Sequence, residues 1–166
     1  MDRFETELVE LLPRLRRFGR AIARDIHDAD DLVQIAVERA LGRRASWRTG
    51  TRLDSWMFTI MRNAWTDEVR MRGRRGRVVE ADTGRAAKVA DPAQASIETR
   101  LTARAAERAL EALPEEQRMP VALVLIEGLS YREAAEVLGI PEGTLTSRLS
   151  RGRAELAATL LEGGGV

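Results

Sequence analysis

The chain has 166 residues, enough for one domain or two small ones, and no cysteine, which excludes disulfides and thiolate metal sites. It is 44% hydrophobic but only 4% aromatic, so its core has to be built mostly from Leu, Val, Ile and Ala. Period-two β-branched runs are nearly absent, no apolar run nears the roughly 20 residues that span a bilayer, and Met1-Asp2-Arg3-Phe4-Glu5 lacks signal-peptide order, so an all-α cytoplasmic protein is expected.

The net charge of +1 is low for a protein that grips DNA unaided, and it is unevenly spread. Residues 1–77 hold 17 arginines against 12 acids, whereas residues 100–166 hold eight basic and ten acidic side chains.

Phe4, Leu8, Leu11, Leu15, Phe18, Ile22 and Ile26 recur near helical spacing. Pro13 interrupts them, which predicts a short helix and a second one entering at or near the proline. His27-Asp28 reads as a boundary, with Asp28 as N-cap and Asp30 and Asp31 favourable in the first turn. The following helix would bury Ala29, Leu32, Val33, Ala36, Val37 and Ala40, and show Asp31, Gln34, Ile35 and Glu38 on its other side. Residues 42–52 form a basic loop around Trp47. A long helix follows from about Leu53 to Arg72, with Leu53, Trp56, Met57, Ile60 and Ala64 as its inner stripe. Arg70, Arg72, Arg74, Arg75 and Arg77 close this half with no acid from Val69 to Arg77. A helix end favours some of these cations, but their number exceeds what capping needs and points to phosphate contact.

From Gly73 to Ala90 periodicity is lost, and the segment reads as a linker between domains 1–72 and 91–162. Asp91-Pro92-Ala93-Gln94 then sets a helix start, with an acidic N-cap and proline at the first helical position. Ile97, Leu101, Leu110 and Leu113 mark this helix, which Pro114 ends. The next carries Val121, Leu123, Val124 and Leu125 to Gly128, with Pro120 either its start or a kink. Gly163-Gly164-Gly165 reads as a frayed tail.

Residues 130–151 carry the most information. Ser130 and Glu133 make a capping box; Ala134, Ala135 and Leu138 share one face; Gly139 reverses the chain. Leu145, Leu149 and Leu156 then point inward, leaving Thr144, Ser147 and Arg151 outward and Arg148 on the flank. Small residues on the first helix let the second pack close across it, as in a helix-turn-helix. An ordinary helical hairpin would share the spacing; the polar outer face favours DNA reading.

Together these motifs resemble a bacterial RNA polymerase sigma factor of the extracytoplasmic-function class of the sigma-70 superfamily. The matching residues are Asp30-Asp31-Leu32-Val33-Gln34, Leu53-Asp54-Ser55-Trp56 and Ile60-Met61-Arg62-Asn63, followed by Asp67 and Arg70. In the second half they are Leu113-Pro114-Glu115-Glu116-Gln117-Arg118, Glu127-Gly128-Leu129-Ser130-Tyr131, Gly143-Thr144-Leu145 and Ser147-Arg148-Leu149-Ser150-Arg151. The Ser-Tyr-x-Glu-Ala-Ala-Glu and Ser-Arg-Leu-Ser-Arg runs look like alphaproteobacterial members, including the general-stress group.

The resemblance implies two helical domains that bind core polymerase, through its clamp and flap regions, and read the promoter −10 and −35 elements. By position, Asp31, Gln34, Ile35 and Glu38 would face polymerase, Ile35 standing where many relatives have Glu. Trp47, Arg48, Arg52, Arg62, Asn63, Arg70, Arg72 and Arg74 would serve the −10 element, where a flipped base needs a pocket and the freed backbone needs cations. Trp47 could stack on that base or cover the core. Thr144, Ser147, Arg148 and Arg151 would serve the −35 element, with Thr146 in place of a Lys common there. An anti-sigma factor is an expected partner. No enzyme activity, cofactor, metal, small-molecule substrate or membrane partner is expected. His27-Asp28 hints at a metal phosphohydrolase, which needs several histidines, and the chain has one. A free-standing regulator would leave residues 1–72 unexplained, and a sigma mimic would need a receiver domain for which the chain has no room.

Overall fold

Seven α-helices and no strand occupy the described residues, 1–74 and 97–163, of the computed structural model. None of these helices is long and apolar enough to cross a membrane. Arg75, Arg77, most of the 73–90 linker and the Asp91-Pro92-Ala93-Gln94 helix start lie outside the described residues.

Helix α1 (Arg3–Ile22) starts in a capping box between Asp2 and Glu5 and runs unbroken through Pro13. The expected break is absent for an energetic reason. Phe4 and Leu8 before the proline and Leu15, Phe18 and Ile22 after it are all buried on one face. Each such burial contributes about 1.5–3 kcal/mol, which outweighs the roughly 3 kcal/mol that an interior proline costs. Helix α2 (Ile26–Gly42) begins one turn earlier than the sequence suggests. Asp25, not Asp28, is its N-cap and accepts from the His27 N–H at 2.9 Å. Ala29, Leu32, Val33, Ala36 and Ala40 are buried as expected, with Val37 partly so.

After a single 3-10 turn at Arg44–Ser46 and a loop bend at Gly50 (φ +96°), α3 spans Leu53–Arg74. Leu53, Met57, Ile60 and Ala64 are buried with Phe58, Met61 and Trp65, whereas Trp56 is only half-buried. Phe18 and Phe58 meet edge-on at 4.9 Å in the centre of this three-helix unit.

The second unit comprises α4 (Ile97–Glu111), α5 (Glu115–Val121), α6 (Tyr131–Leu138) and α7 (Glu142–Gly163). Pro120 neither starts α5 nor stops it; it is buried inside the helix, and residues 122–126 then widen into a π turn closed by the Glu127 N–H on the Ala122 carbonyl at 2.9 Å. The Ser130–Glu133 capping box forms, and Gly139 takes the left-handed conformation (φ +63°) that reverses the chain into α7. Leu145 and Leu149 are buried and Leu156 is half-buried. Where α7 crosses α5 the approach is close: a Cβ on Gly152 would sit 2.7 Å from Val121 Cγ2.

The two units share a core. Met119, Ala122, Leu123, Leu129 and Ala134 belong to the same buried cluster as Leu15, Phe18 and Met57. Only Leu113, Val121 and Leu149, with Leu110 and Leu156 beside them, form a separate cluster within the second unit.

Candidate nucleic-acid interface

On the first unit, Asn63, Arg70 and Arg74 are exposed on α3. At about 100° per residue they fall within a narrow stripe, spanning about 16 Å along the axis. Arg62 is half-buried and holds the Asn63 side-chain oxygen at 3.1 Å, which leaves the amide NH2 free to donate outward. Arg72 is not part of the stripe. It lies half a turn round from Asn63, donates to both oxygens of Asp28 at 2.7 and 3.0 Å, contacts Glu68, and covers the Trp65 ring. These bonds to Asp28 first, and to Glu68, push its pKa up against the effect of burial.

Arg48 is exposed in the loop that precedes α3, and its carbonyl accepts from Thr51. Arg52 is engaged: it grips Asp54 bidentately at 2.7 and 3.1 Å and pairs with Glu133 of the second unit. Burial alone would raise the Asp54 carboxyl, but hydrogen bonds from Arg52, Arg14 and the Ser55 N–H outweigh it and hold the pKa below the usual range. Trp47 is half-buried against Phe4, ring centroids 5.5 Å apart, with its indole N–H buried and unpartnered.

On α2, Asp31, Gln34 and Glu38 are exposed at spacings of three and four residues, with Gln34 Nε2 donating to Glu38 Oε1 at 3.3 Å. Ile35 is half-buried beside them and packs on the core. The strip is therefore an acidic, polar face backed by apolar residues, on a different helix from the arginine stripe.

On α7, Thr144, Ser147, Arg148 and Arg151 lie at spacings of three, one and three residues, one turn apart along a single face. Ser147 and Arg151 are exposed and bonded to each other at 3.0 Å; Thr144 and Arg148 are half-buried at the edges. Thr146 turns its hydroxyl back on the Glu142 carbonyl at 2.9 Å. Among the described residues neither arginine has an acidic partner, so both can meet phosphate or a guanine edge without first breaking an ion pair.

Three ties that local sequence patterns do not disclose join the units. Glu127, its side chain fully buried, accepts from Arg17 Nε and Nη2 at 2.8 Å each and from Arg14 Nε at 3.3 Å. Trp65 Nε1 donates to Glu115 at 3.1 Å, and Arg52 pairs with Glu133. Beside them α1 and α4 enclose a cavity of about 570 Å³ lined by Arg16, Arg20, Arg24, Leu110 and Glu111 among others.

Comparison with known proteins assigns both units. Residues 8–75 match the sigma-70 region 2 family and residues 103–156 the sigma-70 region 4 family. The chain is 35% identical over 161 residues to the ECF RNA polymerase sigma factor EcfG of Rhodopseudomonas palustris, covering 96% of this chain and 86% of that protein. It is 37% identical over 147 residues to the ECF RNA polymerase sigma factor SigM of Mycobacterium tuberculosis, covering 89% and 71%. Among solved structures it resembles the sigma factor RpoE of Bartonella quintana, crystallised with the anti-sigma factor NepR, with a TM-score of 0.81 and 31% identity over 95% of this chain and 96% of that one. The chain therefore belongs to the extracytoplasmic-function RNA polymerase sigma factors, non-enzymatic proteins that bind core polymerase and direct it to promoters.

Proposed function

We propose that the two solvent-facing polar stripes divide promoter reading between the domains 1–72 and 91–162. Thr144, Ser147, Arg148 and Arg151 enter the major groove of the −35 element, the arginines on guanine edges or phosphates. Asn63 reads an edge of a base extruded from the −10 element, and Arg48, Arg70 and Arg74 hold the strand from which it came. Arg62 fixes the Asn63 amide so that its NH2 faces the base. Trp47, packed on Phe4, shapes the loop that receives the base. Arg52 joins the strand contacts once its bond to Glu133 is released, and Arg72 acts by holding α3 against α2. Asp31, Gln34, Ile35 and Glu38 dock on the polymerase clamp, and the second domain meets the flap.

The observation that carries this reading is the pair of separate stripes, one on each domain, each with arginines that form no ion pair among the described residues beside short polar side chains. In this reading the protein acts in the cytoplasm and is restrained by an anti-sigma factor, as the sigma factor of the Bartonella structure is held with one. The test is footprinting of a reconstituted polymerase complex on a promoter fragment. Asn63→Ala should lower permanganate reactivity of the −10 strand while −35 protection persists. Arg151→Ala should lose −35 protection. Unchanged footprints in both variants would overturn the assignment.

A further inference from the structure

The shared core and its ties bear on when the two reading stripes can be used. Elements named for positions about 25 base pairs apart lie about 85 Å apart along B-form DNA. A folded chain of this length has a radius of gyration of about 15 Å and so a diameter of about 40 Å. With α3 packed on α6 and Arg52, just before α3, paired with Glu133, the structure cannot lay one stripe on each element.

We propose that this is a self-restrained closed state of the free chain, latched by Glu127 in the grip of Arg14 and Arg17, which must open before both promoter elements are engaged. Its consequence for transcription depends on the sigma-factor reading, while the latch itself does not. Among the described residues, Glu127 is the one carboxylate of the second domain whose side chain is fully buried against the first. Arg14 fastens it to the first domain's own framework: Nη1 holds Asp54 at 3.0 Å while Nη2 takes the Glu127 carbonyl at 3.1 Å. The Pro120 helix and the π turn after it deliver Glu127 to this position. The closed state also withholds Arg52 Nη1 from DNA, because Glu133 of the second domain occupies it while Asp54 of the first holds Nε and Nη2.

Two features make the latch reversible. The side chain of Arg17 is half exposed and that of Arg14 partly so, so both can be hydrated when Glu127 withdraws. Arg118 opposes closure: it is buried, its Nε and Nη1 have no acceptor, and burial followed by the charge of Arg24 pushes its pKa down against the opposing pull of Glu115 and Glu111. A buried cation with unmet donors is relieved when the domains part.

The absence of cysteine allows clean spin labelling of the full chain at Thr49→Cys and Ala157→Cys, both exposed and in different domains. Double electron–electron resonance on the free protein should give one narrow, short distance. Arg17→Glu, which sets a like charge against Glu127, should raise the ratio of open to closed molecules at least tenfold, with helix content unchanged by circular dichroism. Arg17→Ala should shift it in the same direction by less. Arg43→Glu, an exposed site at the end of α2 that takes no part in the ties to the second unit, should leave the distances as they were. A long, broad distribution in the unaltered protein, no change with Arg17→Glu, or equal opening with Arg43→Glu would each overturn the proposal. No polymerase or promoter enters the measurement, so failure here is distinct from failure of the sigma-factor reading.

Discussion

Gly152 offers a stability test in which the sign of a mutation depends on one methyl group. In an exposed helix, Gly→Ala stabilises by about 1 kcal/mol through backbone entropy. At position 152 the new Cβ would stand 2.7 Å from Val121 Cγ2 and 3.3 Å from the Gln117 carbonyl oxygen. Val121 is 1% exposed and cannot swing into solvent. Overpacking of this kind costs about 1–3 kcal/mol, so Gly152→Ala should destabilise by up to about 2 kcal/mol net. Val121→Ala alone should cost about 2 kcal/mol through lost burial, plus a cavity term. In that background the 2.7 Å clash is gone and only the 3.3 Å approach to the Gln117 carbonyl remains, so Gly152→Ala should become neutral or stabilising by up to about 1 kcal/mol. The coupling between the two sites should thus be at least about 1 kcal/mol, or about 2–4 °C in Tm for a protein of this size. Urea unfolding followed by circular dichroism measures all four corners of the cycle. Additive effects, or a stabilising Gly152→Ala in the unaltered protein, would refute the close crossing of α5 and α7.

Other consequences can be checked in the same way. Arg70→Ala should flatten the salt dependence of DNA binding by about one unit of slope without altering stability, because Arg70 is exposed on the Asn63 stripe. Arg72→Ala should do the reverse, lowering stability by about 1 kcal/mol, less at high salt, because its partners are Asp28 and Glu68. Urea titrations and salt-series binding separate the two; similar behaviour would contradict the geometry. Asp54 has a folded pKa below its unfolded value, so its stabilisation is fully present above the unfolded value near 4 and is lost as pH falls through the folded value. The stability gap between the unaltered protein and Asp54→Asn should therefore be widest above the unfolded value and shrink steadily as pH falls below it; a constant gap would contradict it. Asp31→Arg combined with Glu38→Arg should weaken binding to core polymerase roughly tenfold or more, with helix content unchanged. Fluorescence anisotropy of labelled protein reads the affinity, and an unaltered value would remove the α2 strip from that surface.

What the sequence made legible were features written over three or four residues. The Ser130–Glu133 box, the Gly139 reversal, the inward Leu145 and Leu149, and the buried face of α2 follow from capping chemistry and period 3.6, and each is where that chemistry puts it. The candidate stripe on α7 was readable for the same reason. The misreadings come from competition with packing. Pro13 looks like a break locally, yet the core on either side holds the helix together. Asp28 looks like a cap, but it faces Arg72, 44 residues away, and Asp25 takes the capping position. The ion pairs of Arg52 and Arg72 have no local signal, because Glu133 and Asp28 are distant in sequence. Gly152 has no local signal, since only the arrival of Val121 from α5 makes its missing side chain matter. The latch at Glu127 is likewise tertiary: its donors stand on α1, 110 and 113 residues earlier.

The measurement that tests the central claim most directly is run-off transcription from a genomic fragment library, using bacterial core polymerase with and without this protein. The account predicts discrete new start sites only when the protein is present, preceded by shared −10 and −35 sequences that Asn63→Ala and Arg151→Ala respectively cease to read. No new transcripts, together with tight binding of the protein alone to DNA, would contradict it.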